Sequence, residues 1–262
     1  MFSIMKIIKF PIFVLWCIFF TYILPLLAFF FYCIGYTTNP WDCTTEMINS
    51  ILNTKLININ KTPQPFITNG VILTNHRCFS DFYLDPYLFS CSSMARRLAA
   101  LVSGFFFVLS CYFNRGIIIN RNQDRNTIYS YVLSLGKTIF MFYPEGTRCS
   151  HVTLPEDYKE VSLKYGLLKS IWENTENTRI QITISKNKEL VLNEKTFDIG
   201  YGVNIYYITG EPIYTRDYDT FELFIDKVKL DWHSLWNEVY SYIDEDNEKY
   251  EGIGEDTMCR LQ

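Results

Sequence analysis

His76 and Asp81, five residues apart in Asn75-His76-Arg77-Cys78-Phe79-Ser80-Asp81, are the residue types of a general base and the carboxylate that orients it. An acid bonded to one ring nitrogen fixes the imidazole tautomer and makes the other nitrogen a better base. Taken alone, a histidine followed by an aspartate at this spacing is more often a structural pair. Two further stretches carry polar residues directly after apolar ones: Ile119-Asn120-Arg121, and Tyr143-Pro144-Glu145-Gly146-Thr147-Arg148. In the last of these, Arg148 offers an always-charged fork beside Gly146, a residue that permits close backbone approach.

All three stretches follow runs that read as buried strands, so one geometry serves them all. A strand delivers polar residues into the loop at its C-terminal end, where open α/β sheets place ligands. The pattern predicts strands over Lys55–Asn60, Val71–Thr74, Gly116–Asn120, Thr138–Tyr143, Arg179–Ser185 and Asn204–Thr209. Helices are expected after Ser80 as a cap, then over Gln123–Leu135, Glu156–Trp172 and Phe221–Tyr242. The mostly apolar stretch of 16 residues from Leu98 to Phe113, bounded by Arg96, Arg97 and Arg115, is short for a membrane span and predicts a helix that is buried or lines an apolar path. The fold class expected is α/β, a mixed β-sheet flanked by helices.

With 262 residues, 48% hydrophobic, 17% aromatic and 20% charged, the chain fits one globular domain with an appendage and excludes long disorder, collagen and disulfide-stapled miniproteins. The formal charge is −4, but Asp244–Asp256 holds seven acids against Lys249, so the body is mildly positive. That balance excludes a strongly basic nucleic-acid binder and lets the body approach anionic lipid while an acidic tail stays solvated. The cysteines are scattered without a Cys-x-x-Cys pair, which argues against a structural metal and for a reducing compartment.

From Phe10 to Tyr36 run 27 uncharged, mostly apolar residues, preceded by Lys6 and Lys9. A straight helix of that length would measure roughly 40 Å against a hydrocarbon core of about 30 Å. A removable signal peptide fits poorly, since no small-residue cleavage site follows. Pro25 is expected to break or kink the helix into pieces of about 14 and 11 residues, so the segment either crosses the bilayer tilted or inserts from one side. The lysines favour a cytoplasmic N-terminus, and a monotopic segment would keep the body and its active site on that face. Pro40–Leu52 is expected as a second helix, interfacial or part of the core. The chain thus divides into a membrane-anchoring segment (1–52), a body (53–243) and an acidic tail (244–262).

Asn75-His76-(four residues)-Asp81 followed by Phe142-Tyr143-Pro144-Glu145-Gly146-Thr147-Arg148 resembles the glycerolipid acyltransferase family, in particular the 1-acylglycerol-3-phosphate acyltransferases. The resemblance implies a glycerol-3-phosphate acyltransferase-like fold and an O-acyltransferase of phospholipid biosynthesis. The expected reaction moves a fatty acyl chain from acyl-CoA or acyl carrier protein to lysophosphatidic acid, giving phosphatidic acid. It implies His76 as the base and Asp81 as its orienting partner. Arg121 and Arg148 would hold the acceptor phosphate, and Glu145, Gly146 and Thr147 would form the site. No metal and no cofactor are expected, the donor being a substrate. No acyl-enzyme is required, the sequence has no Gly-x-Ser-x-Gly elbow, and Cys78 reads as a bystander. The expected partners are the bilayer, a lysophospholipid and acyl-CoA. One departure bears on specificity: Arg179–Ser185 lacks the proline usual in the family's strand-borne motif. Another lysophospholipid acceptor, or a non-catalytic lipid-binding protein of the same fold, is the alternative. Lys164 fits either a phosphate of coenzyme A or a solvated helix face, and His151 and His233 read as structural or exposed.

Overall fold

Val71-Ile72-Leu73 can be buried on both faces only as a central strand of a parallel sheet, and it takes that place. In the computed structural model, which describes residues 4–120, 123–134, 139–148 and 163–242, the strands are β1 (Lys55–Asn58), β2 (Gly70–Thr74), β3 (Ser92–Arg96), β4 (Gly116–Ile119), β5 (Ile139–Phe142), β6 (Arg179–Lys186), β7 (Leu192–Asn193), β8 (Asp198–Ile199), β9 (Asn204–Thr209) and β10 (Ile213–Tyr214). The main sheet has the order β1-β9-β6-β2-β5-β3-β4, with β10 added to β6, and β7 and β8 form a separate hairpin. Strands β6, β2, β5, β3 and β4 are mutually parallel, whereas β6 and β9 run antiparallel. The expected mixed sheet is therefore present, and the ends of β2, β3, β4 and β5 emerge along one edge.

The helices are α1 (Ile4–Ile18), α2 (Leu24–Cys33), α3 (Pro40–Leu52), α4 (Asp81–Phe89), α5 (Arg97–Val102), α6 (Gly104–Tyr112), α7 (Arg125–Ser134), α8 (Gly166–Asn174) and α9 (Phe221–Ser241). Val71 and Leu73 face a core shared with α7, α8 and α9, where Ile128, Leu168, Trp232 and Trp236 are buried. Ile72 points the other way, to Ile67, Phe89 and Met141, the alternation that a pleated strand imposes. Another cluster joins Phe20, Trp41, Leu84, Phe106 and Ile205, uniting the N-terminal segment with the body.

Several expectations are corrected. Pro25 does not divide the apolar segment: a π-helical turn at Phe19–Ile23 carries α1 into α2, with the Leu24 N–H donating to the Phe19 carbonyl. A π turn widens the helix just before the proline ring, which lacks an N–H and would crowd the carbonyl four residues back. Ile8–Cys33 is by length and composition able to cross a membrane, at a mean hydropathy of 2.4. One side of it is packed, with Phe20, Thr21, Leu24 and Ala28 buried, and the other exposes Leu15, Ile23, Leu26 and Phe30.

Leu98–Phe113 forms two helices instead of one, because Gly104 takes φ +55° and the Tyr22 ring sits where a Cβ would project, 2.3 Å away. Helix α3 is a core helix, with Trp41, Ile48 and Leu52 buried. Its start is set by Asn39, whose Oδ1 accepts from the N–H groups of Trp41 and Asp42, ahead of Pro40 at the first turn. Strand β3 has no counterpart among the sequence expectations. Helix α8 begins at Gly166; residues 163–165 of its expected span are not helical, and the part before them, like the acidic tail, lies outside the described residues.

Candidate active site

Asn75 ends β2 by behaving as one more ladder residue. Its side-chain amide donates to the Ser185 carbonyl at 2.7 Å and accepts from the Ser185 N–H at 2.9 Å. The chain then turns, and His76 Nδ1 meets Asp81 Oδ2 at 2.7 Å. The same Oδ2 accepts from the N–H groups of Arg77 (2.5 Å) and Cys78 (3.1 Å), so Asp81 closes the loop as well as orienting the ring. Ser80 precedes α4 but does not cap it; its hydroxyl donates to the Lys188 carbonyl at 2.9 Å, while Asp81 collects the loop amides instead.

Asp81 is fully buried. Burial by itself would push its acid up, but the ammonium of Lys188 and the bonds from His76 and Arg77 outweigh it and hold the acid far below the usual carboxylate range. Burial also holds the His76 imidazolium below the ordinary histidine value, with Asp81 only partly offsetting it. The imidazole is therefore neutral at neutral pH, with Nδ1 on Asp81 and Nε2 left for the cavity that His76 lines. Tyr143 stacks on the imidazole at 4.2 Å and 15°. Its hydroxyl reaches the Asp81 carbonyl (3.2 Å) and Asp85 Oδ2 (3.1 Å).

The turn after β5 brings in the second stretch. The Gly146 N–H donates to the Tyr143 carbonyl at 3.0 Å, and Gly146 takes φ +67°, where a Cβ would strike the Lys164 side chain. Glu145 is buried; its Oε2 accepts from the His76 N–H at 2.5 Å, and burial pushes its acid up to about 8. Gly146, Thr147 and Arg148 line the same cavity as His76, of about 750 Å³. Arg148 lies 5.6 Å over the Phe82 ring and is ion-paired with Glu194. Asn120, at the end of β4, also lines the cavity, whereas Arg121 and His151 lie outside the described residues.

Sequence reading thus locates His76 and the Gly146–Arg148 part of the turn, which line one cavity, with Asp81 and Glu145 buried behind them and bonded to His76. It left Lys164 open, and Lys164 lines that cavity, anchored by its N–H on the Pro144 carbonyl at 2.6 Å. It missed Arg96, Arg125, Glu194 and Lys195, which add charge to the walls, and Tyr143 as the ring's stacking partner. Only a Tyr-Pro at a strand end could have flagged the last. Cys78 is no nucleophile in this setting: its buried Sγ contacts Ser80 Oγ and the Lys188 carbonyl, and burial pushes the thiol well up. Arg77 pairs with Glu189 (2.8 and 3.1 Å) and lies over Trp236 and Tyr240, pinning the loop to α9.

A neutral imidazole backed by a buried carboxylate, in a cavity with cationic walls and an apolar part formed by Met94, Ile128 and Phe142, can deprotonate a hydroxyl on an anionic amphiphile. No protein-family model matches the chain, and no curated protein is significantly similar to it in sequence. In three dimensions it is similar to the crystal structure of the 1-acyl-sn-glycerophosphate (LPA) acyltransferase PlsC from Thermotoga maritima, with a TM-score of 0.67 and 14% identity over 92% of this chain and 100% of that one. The chain therefore has a PlsC-like fold, a mixed sheet flanked by helices with an N-terminal apolar helix.

Proposed function

We propose that the protein is a membrane-bound O-acyltransferase that moves a fatty acyl chain from acyl-CoA or acyl carrier protein to lysophosphatidic acid, giving phosphatidic acid. One observation carries this reading. His76, 2.7 Å from the buried Asp81, shares a cavity with Arg148 of the Glu-Gly-Thr-Arg turn, in the fold of a known LPA acyltransferase.

In this scheme the acceptor phosphate binds Arg148, assisted by Lys164 and, by family resemblance, Arg121. The glycerol hydroxyl is then held beside Nε2 of His76. The neutral imidazole takes the hydroxyl proton as the oxygen attacks the thioester carbonyl, and Asp81 stabilises the imidazolium that forms. The new ester bond replaces the carbon–sulfur bond, and the imidazolium returns its proton to the departing thiolate. Base catalysis of this kind contributes about 100- to 10,000-fold.

The N-terminal segment serves as the anchor and lies along one side of the bilayer. Near one end Lys9 bonds Asp198 at 2.6 Å and Phe10 packs on Phe197; near the other Phe29 packs on Phe105 and Tyr32 on Phe113. A helix held by the body at both ends cannot cross the bilayer without taking the body with it. Its exposed apolar face fits a monotopic insertion, and Lys6 and Lys9 favour the cytoplasmic side.

A second acceptor class is favoured by Glu194. A carboxylate beside the phosphate-binding arginine suits a head group that carries an ammonium as well as a phosphate, a zwitterionic lysophospholipid. The deciding experiment supplies labelled acyl-CoA and a panel of lysophospholipids to the membrane-embedded protein, with His76→Ala beside it. Preferred acylation of lysophosphatidic acid, with the variant down by about 100-fold or more, is the expected result. A preference for a zwitterionic acceptor changes the substrate only, and no acylation with any donor would leave a lipid-binding protein.

A further inference from the structure

Beside the dyad, buried and outside the cavity lining, stands a lysine that the proton transfer does not use. Lys188 begins the short 3-10 turn after β6. Its ammonium donates to the Asn75 carbonyl at 2.9 Å and to both oxygens of Asp85 at 3.1 and 2.9 Å, and it lies 3.4 Å from Asp81 Oδ1. Asp81 therefore has one oxygen for the imidazole and the other for Lys188. Asp85 passes the connection on, since its Oδ2 accepts from the Tyr143 hydroxyl at 3.1 Å, and the Tyr143 ring lies on the imidazole. These contacts close a circuit: imidazole, Asp81, Lys188, Asp85, Tyr143, imidazole. Buried ion pairs of this kind contribute little net stability compared with apolar residues of similar volume, so stability is a poor reason for the circuit.

We propose that Lys188 is a positioning residue for the His76–Asp81 pair: its ammonium fixes the Asp81 oxygen that the imidazole does not use, and through Asp85 it holds Tyr143 flat against the ring. The step it serves rests on the acyl-transfer reading; the geometry does not. Among the described residues, Asp81, Arg148 and Lys188 act on the imidazole, Tyr143 stacks on it, and Glu145 accepts from the His76 N–H. Asp81, Asp85 and Cys78 face the ammonium. One ammonium meets two buried carboxylates, and the imbalance falls on Asp85, whose acid burial and the Asp81 charge push up to about 7 against the pull of Lys188. Removing the ammonium takes away the one cation beside Asp81 other than the ring, leaving the loop N–H groups, so the ring should take up its proton at higher pH.

The test compares the wild type with Lys188→Gln, which removes the charge and keeps a donor, one bond shorter, on the same side chain. The double variant Lys188→Met/Asp85→Asn, which exchanges the ion pair for uncharged groups of similar volume, guards against misfolding of the single one. The His76 titration is followed by NMR on labelled imidazole, assigned with His76→Ala, and needs no turnover. Its midpoint should rise by about one pH unit. In acyl transfer, the acid limb of the rate should move up with it, and kcat should fall by about 10- to 100-fold with the lysolipid KM nearly unchanged. A folded variant whose His76 midpoint does not move overturns the proposal. A wild type without acyl transfer overturns the functional reading and leaves the titration to decide this one.

Discussion

Arg148 and Glu194 carry the specificity question at the scale of single residues. Their ion pair is about one-quarter exposed on each side, 26% and 25%, so in the proposed reaction the acceptor phosphate would compete with a carboxylate for the guanidinium. Glu194→Gln frees Arg148, and the KM for lysophosphatidic acid should fall by about 3- to 10-fold while kcat stays level; steady-state kinetics across two acceptor classes would read it. Arg148→Ala should raise that KM by tenfold or more, on the order of a lost charged hydrogen bond. The acid limb of kcat/KM should lie below the ordinary histidine value of 6.5, since burial disfavours the His76 imidazolium. Glu145 works in the opposite sense for stability. Its acid is raised from 4.5 to about 8, so its stabilising effect is complete below 4.5 and is lost as the pH climbs through 8. Glu145→Gln keeps the oxygen that accepts from the His76 N–H, and the variant should gain thermal stability relative to the parent above pH 8.

At the scale of elements, the junction of α5 and α6 meets the N-terminal segment at Gly104. A side chain there would meet both a left-handed φ and the Tyr22 ring, so Gly104→Val should lower stability in detergent by about 1–3 kcal/mol, seen as an earlier denaturation midpoint. The helix itself was legible from Phe10–Tyr36, but its continuity through Pro25 was not. A π turn is a local rearrangement with no residue signature of its own. In sealed vesicles, a tag before Lys6 and a tag on the body should be cleaved from the same side; cleavage from opposite sides would replace the monotopic arrangement with a true span. The hairpin of β7 and β8 links both matters, since Glu194 reaches Arg148 and the Phe79 N–H while Phe197 packs on Phe10 and Phe13.

For the whole molecule, the sequence by itself determined what depends on neighbours along the chain. Strand β2 is built on the apolar run Val71-Ile72-Leu73, β5 is followed by Tyr143-Pro144-Glu145-Gly146, and the turns after them hold His76, Asp81 and Arg148 at spacings a loop can close. Burial periodicity and turn chemistry are local, and they suffice for an α/β sheet with its candidate functional loops on one edge. The tertiary structure alone decided the rest. Ser92–Arg96 has no strand pattern of its own and becomes β3 because β4 and β5 flank it and satisfy its backbone. Lys188 meets Asp85 across 103 residues, and Glu194 meets Arg148 across 46. Neither pairing is marked in sequence: the buried Lys188 charge is tolerated only where folding brings its counter-charge within bonding distance, and the half-buried Glu194 reaches Arg148 only through the packed fold.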